Sequence, residues 1–180
     1  MLNSLLVKEL LSKQKELDNF IISKKKVKSS EKNKKIDLTK LALLVEIGEF
    51  ANELSTFKSW KKEKKIDYKK AKEELIDCLH FFLSLCGDFS ENFFNEYKSK
   101  KRNQNIHHQF NELLMNFFSA TFLLEKKIDE NERKIIFYNW LTIFEELSFE
   151  LGMKDEKDIR EIYNEKNNKN FERIKEEWSE

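Results

Sequence analysis

The chain has 180 residues and a formal net charge of +1, from 34 basic and 33 acidic side chains. That length suits one domain with a real core, and the near-neutral charge gives no case for a nucleic-acid partner. It has no proline and three glycines, and is 37% charged and 39% hydrophobic. Sheet and turn-rich folds draw on glycine and proline at their turns, so the composition predicts an all-α fold in one domain over 1–180. Sixteen phenylalanines supply the apolar area for packing helices together.

The first helix is expected from about Leu2 to Lys25, where Leu6, Leu10, Leu17, Phe20 and Ile21 recur at helical spacing. Lys8, Glu9, Lys13 and Lys15 interrupt its apolar residues, so it predicts no signal peptide. A lysine and serine stretch over 24–35 reads as a loop. Asp37 then reads as the N-cap of a helix to about Trp60. After the lysine-rich stretch Lys58–Lys65, Asp67 can cap a third helix that stops at Gly87. Two helices are expected over about 89–101 and 106–128, and another over 130–151 that ends at Gly152. The tail from Asp155 places a few apolar residues in a polar background. His107 and His108 read as surface loop residues. Cys78 and Cys86 lie among apolar residues, with no second pair for a zinc site or disulfide framework. They read as core thiols in a reducing, cytoplasmic setting. No apolar run approaches the roughly 20 residues of a membrane span.

The chemistry-bearing stretch is 41–87. Glu46 and Glu49 stand at i and i+3, and so do Glu74 and Asp77 on the next helix. Residues three apart are neighbours on a helix surface, so each helix can present two carboxylates. On a helical wheel these acids edge into the apolar stripe, beside Leu43, Phe50, Phe81 and Leu85. There, ionised carboxylates would be desolvated and mutually repelled. A hard divalent cation relieves both costs, and Mg²⁺ prefers oxygen ligands while leaving room for water and phosphates. The plainer reading is a set of surface acids on a charge-rich protein. A di-iron bundle would use Glu-x-x-His pairs, and that spacing is absent, although His80 follows Asp77 by three.

Glu46-x-x-Glu49 followed by Glu74-x-x-Asp77 resembles the metal motif of the all-α NTP pyrophosphohydrolases, which include MazG-type enzymes. The words Glu46-Ile-Gly-Glu-Phe-Ala-Asn-Glu53, Phe57-Lys58-Ser59-Trp60 and Glu73-Glu74-Leu-Ile-Asp77-Cys-Leu-His80-Phe81-Phe82 are closer to the dimeric dUTPases. So is Lys166-Asn167-x-x-Asn170-x-x-Arg173, similar to that family's C-terminal phosphate-binding motif. Gln14, with Leu10, Leu11 and Leu17, resembles the first motif, whose polar side chains read the uracil edge. The chain departs from the pattern at Asp18, where the family often has asparagine. It departs again after Arg173, where Ile174 stands in place of glutamine.

The resemblance implies a helical bundle that forms a homodimer and hydrolyses dUTP, with dUDP as a related substrate, to dUMP through water activated by Mg²⁺. It implies that Glu46, Glu49, Glu74 and Asp77 hold two or more Mg²⁺, with Mn²⁺ able to substitute. Glu46 or Glu49 would take the proton of the attacking water, Glu46 being favoured. Lys166, Asn170 and Arg173 share one face if the tail is helical and would clamp phosphate, with Tyr163, Asn167 and Lys58 as further contacts. Trp60 would wall the base, or pack in the core. Asn52, His80 and Phe81 stand next to the metal residues and would line the nucleotide, His80 having a purely structural reading as well. Two other functions stay open: a MazG-like enzyme for another nucleotide, and a non-enzymatic helical protein that binds a regulator, as a phage-borne relative would.

Overall fold

The computed structural model describes residues 2–25, 32–62, 65–99, 109–124 and 128–177. Among them are six α-helices and no strand: α1 Ser4–Lys25, α2 Lys32–Leu54, α3 Tyr68–Leu85, α4 Phe110–Phe122, α5 Glu130–Glu150 and α6 Glu156–Glu177. The all-α expectation holds. A 3₁₀ turn, Glu91–Phe94, follows α3, and a single bridge pairs Asn3 with Lys98. No described helix is long and apolar enough to cross a membrane.

Helices α2 and α3 form the most extensive pairing among the described residues, while α6 packs on α1 and α3. Leu43, Ile47, Phe50 and Leu54 of α2 recur at helical spacing and are fully buried, as are Leu75, Ile76, Leu79 and Phe82 of α3. The Lys70–Glu53 pair, 2.6 Å apart, ties the start of α3 to the end of α2. Helix α5 closes the far side of the core. Its Trp140 ring lies flat on Phe82, 3.9 Å between centroids, and donates to Thr121 Oγ1 of α4 at 2.9 Å. Cys78 and Cys86 are buried in this core and form no disulfide.

Several boundaries follow their sequence signals. Asp67 Oδ1 accepts from Lys69 N and Lys70 N at the start of α3, and Asp129 does the same for α5. Gly152, at φ +79°, takes the left-handed position after α5 that a side chain rarely adopts. Gly87 follows the cap of α3, where an added Cβ would stand 3.1 Å from Ser84 O.

Three expectations need correction. Helix α2 begins at Lys32, so Asp37 lies inside it; the 32–35 run of good helix formers extends the helix backwards instead of making a loop. The same helix ends at Leu54, short of Trp60, because Ser55 adopts φ +54° and bonds Asn52 O through its hydroxyl. Of the helix expected over 89–101, the described residues, to 99, form a 3₁₀ turn over Glu91–Phe94 with irregular chain on either side. Phe89, Phe93, Phe94 and Tyr97 are all buried around Phe137 and Tyr138 of α5, so tertiary packing, and not their helical spacing, sets the backbone there. The start expected at 106 for α4, with His107 and His108, lies outside the described residues.

Candidate metal centre

The carboxylates at i and i+3 on α2 and α3 meet across the pairing of these helices. Glu46, Glu74 and Asp77 bring one oxygen each to within 4.8 Å of one another, all three only partly buried. Glu49 lines the same cleft but stands outside this group, on the exposed side of α2. The electrostatics follow from the crowding. Burial first, then repulsion from Asp77, Glu49 and Glu74, pushes the Glu46 carboxyl up to about 7. Burial and Asp77 raise Glu74. Asp77 is raised by burial although Lys166 pairs with it directly, so desolvation outweighs the ion pair there. The oxygen-only donor set, short of positive charge, fits a hard divalent cation.

Helix α6 supplies the basic side. Because the tail is helical, Lys166, Asn170 and Arg173 fall on one face, and all three line the cleft. Tyr163 and Asn167, on the adjacent face, turn inward and are buried. The cleft encloses about 450 Å³, within the range of small-molecule sites.

At its other end a single acidic side chain, Asp18, stands among uncharged ones. Gln14 and Asp18 of α1 meet His80, Phe81 and Ser84 of α3 there, with Leu17, Ile21 and Ile174 as apolar walls. Gln14 is buried, bonded to Asp18 Oδ1 at 2.9 Å, to His80 Nδ1 at 2.8 Å and to the Tyr163 hydroxyl at 2.9 Å. His80 stacks on Tyr163, 4.0 Å between centroids, and burial lowers its pKa to about 3. Its Nε2 and the Asn167 Oδ1 are buried with no hydrogen-bond partner among the described residues. Asp18 and Ser84 also wall a second cavity of about 330 Å³.

Five candidates do not line the cleft: Tyr163 and Asn167 are buried, and Asn52, Lys58 and Trp60 lie away from it. Asn52 is exposed on α2, and its carbonyl accepts from Ser55 and Lys58. Lys58 lies over the Phe57 ring. Trp60 is 72% exposed, its edge on Phe57 at 6.2 Å, so its core-packing reading is overturned. Beyond Ser55 the chain has left α2, and nothing in the described chain covers the indole. Among the lining residues, Ile21, Ser84 and Ile174 were not foreseen as site residues. Ser84 had a legible signal, since it lies seven residues after Asp77 on the same helical face.

No curated protein matches the chain. A family model described as dUTPase matches residues 6–178. That span takes in all six helices and every side chain of the cleft, and the chain belongs to this family, the all-α dUTPases of the dimeric type.

Proposed function

We propose that the protein is a Mg²⁺-dependent pyrophosphohydrolase that converts dUTP, and dUDP, to dUMP. Family membership makes it a nucleotide pyrophosphohydrolase. The observation that carries the finer reading is the convergence of Glu46, Glu74 and Asp77 within 4.8 Å, facing the basic row of α6 across one cleft.

In this reading Glu46, Glu74 and Asp77 hold Mg²⁺, with Glu49 joining at the rim and Mn²⁺ able to substitute. When bound, the metal neutralises phosphate charge and makes water a better nucleophile. The chain's own residues do the rest. Lys166, now paired with Asp77, exchanges that carboxylate for a phosphate oxygen when nucleotide and metal enter. Arg173 grips phosphate as a planar fork and Asn170 as an amide donor. Glu46 or Glu49 takes the proton of the attacking water; a proton affinity near neutral suits Glu46 to this exchange, which is worth roughly 10²–10⁴-fold. Gln14, His80 and Phe81 border the base, with Tyr163 and Asn167 behind them as supports. Lys58 and Trp60 reach the nucleotide only if the segment after α2 or a second subunit carries them there, and Asn52, on α2, only through a second subunit.

The chain acts as a homodimer in this reading. Leu38, Leu41 and Val45 form an exposed apolar stripe on α2, and Met115 and Phe122 stand exposed on the neighbouring α4. The test is pyrophosphate release from dUTP, with Mg²⁺ and with chelator. We expect release that the chelator stops. Release that chelator leaves untouched, or none from dUTP at all, rejects the reading.

A further inference from the structure

One ion pair joins the acidic and basic sides of the cleft. Lys166 of α6 reaches across to α3, where its Nζ pairs with Asp77 Oδ2. The two side chains are only 20% and 16% exposed, so salt and water screen the pair weakly. The same charge acts on Glu46 and Glu74, opposing the repulsion among the acids. A cation of the chain itself therefore stands beside the three carboxylates that meet within 4.8 Å. Its neighbours on α6 differ from it. Asn170 is uncharged, and Arg173 acts on Asp77 from a distance, with no ion pair to the three acids among the described residues.

This placement sets two demands on the same carboxylates against each other. A divalent ion held by Glu46, Glu74 and Asp77 must take the oxygen that Lys166 holds, or sit a few ångströms from its ammonium. The first course breaks a charge-assisted hydrogen bond, and the second brings like charges together. Either weakens the hold on the metal for as long as the lysine stays. Lysine can leave, because its charge is a point on a flexible four-carbon stem with no fork geometry to keep. An anion on the basic side of the cleft would draw it off. Lys166 shares its helical face with Asn170 and Arg173, so a phosphate chain laid along that face comes within its reach.

We infer that Lys166 is an internal cation that lowers the affinity of the metal site until phosphate withdraws it, so that metal and nucleotide bind cooperatively. The inference rests on the pyrophosphohydrolase reading and adds a regulation of its metal site. The cleft then takes its cation together with the polyphosphate and holds it less well alone. Linkage requires the converse, that the metal strengthens nucleotide binding by the same factor. A lysine that only gripped phosphate would leave the affinity for metal alone unchanged. This one sets it.

The test is Mn²⁺ titration without nucleotide, read by electron paramagnetic resonance, in the wild type, Lys166→Met and Arg173→Met. Methionine keeps an unbranched stem and removes the charge. Arg173→Met takes the same charge from the cleft without breaking an ion pair to the acids, and circular dichroism checks the helix content of both variants. We expect Lys166→Met to bind Mn²⁺ about tenfold tighter or more than the wild type, and Arg173→Met less than about threefold tighter. A smaller gain in Lys166→Met, or an equal gain in Arg173→Met, overturns the inference and leaves the metal site standing. A second reading needs no variant. Calorimetry should show Mg²⁺ strengthening the binding of the hydrolysis-resistant α,β-imido analogue of dUTP to the wild type by about tenfold or more, and a smaller factor overturns the inference. Absence of Mn²⁺ binding in all three proteins overturns it together with the hydrolase reading.

Discussion

Glu46 shows how the cluster reports itself through protons. Its carboxyl sits at about 7 instead of 4.5, for burial first and acidic neighbours second. Between those values the folded chain keeps a proton that the unfolded chain releases. Stability is therefore fully present below the lower value and lost as pH rises through the upper one. Undamped, the displacement amounts to about 3 kcal/mol; water around a half-exposed group screens this to ~1–2 kcal/mol. Glu46→Gln should thus stabilise the metal-free protein by ~1–2 kcal/mol at pH 8 and by almost nothing near pH 4.5, read by urea denaturation. Equal gains at both pH values would contradict the assignment. Glu74→Gln should lower dUTP hydrolysis by at least about 10²-fold at unchanged helix content, checked by pyrophosphate release and circular dichroism. The acids were legible in the sequence because i, i+3 spacing beside an apolar stripe is a local pattern. Ile21 and Ile174 were not, since they reach the cleft from α1 and α6, whose packing no local pattern specifies.

At the scale of elements, the clearest signals were caps. Asp67 accepts two backbone hydrogens at the start of α3, as its position before an apolar-periodic run predicts, and Asp129, not read as a cap from the sequence, does the same for α5. Asp67→Ala should cost ~1 kcal/mol of stability while kcat changes less than about twofold, because the cap lies two turns from Glu74; a thermal melt and an assay read both. The misread boundaries had physical causes. Helix α2 stops at Ser55 without glycine or proline, through a left-handed serine held by its own hydroxyl, a conformation no residue type announces. Residues 89–99 carry a helix-like density of aromatics, but their rings point to several neighbours, and only tertiary packing decides between a helix and a 3₁₀ turn. Helix α6 is the converse case. Its polar sequence has little apolar stripe, yet Tyr163 and Ile159 anchor it, and Glu9 pairs with Arg160 at 3.1 Å to hold it on α1.

The whole molecule divides its labour between a dry aromatic side and a polar cleft. Trp140 joins α3, α4 and α5 through Phe82, Phe117 and Thr121, so Trp140→Ala should destabilise by about 3–5 kcal/mol without touching the cleft, as measured by denaturant unfolding. The all-α class was readable from the lack of proline and the few glycines, since helices need neither. The proposed dimer rests on the exposed apolar stripe of α2. Leu41→Glu and Val45→Glu together should shift the chain to monomer in light scattering; an unchanged mass would place the interface elsewhere.

The proposed mechanism requires that Glu46, Glu74 and Asp77 form one cation site. Mn²⁺ titration followed by electron paramagnetic resonance tests it directly, without substrate or turnover. We expect saturable Mn²⁺ binding to the wild type, competed by Mg²⁺ and lost in Glu74→Gln/Asp77→Asn at unchanged helix content. Saturable binding that survives in the double variant, or none in the wild type at millimolar Mn²⁺, would contradict it.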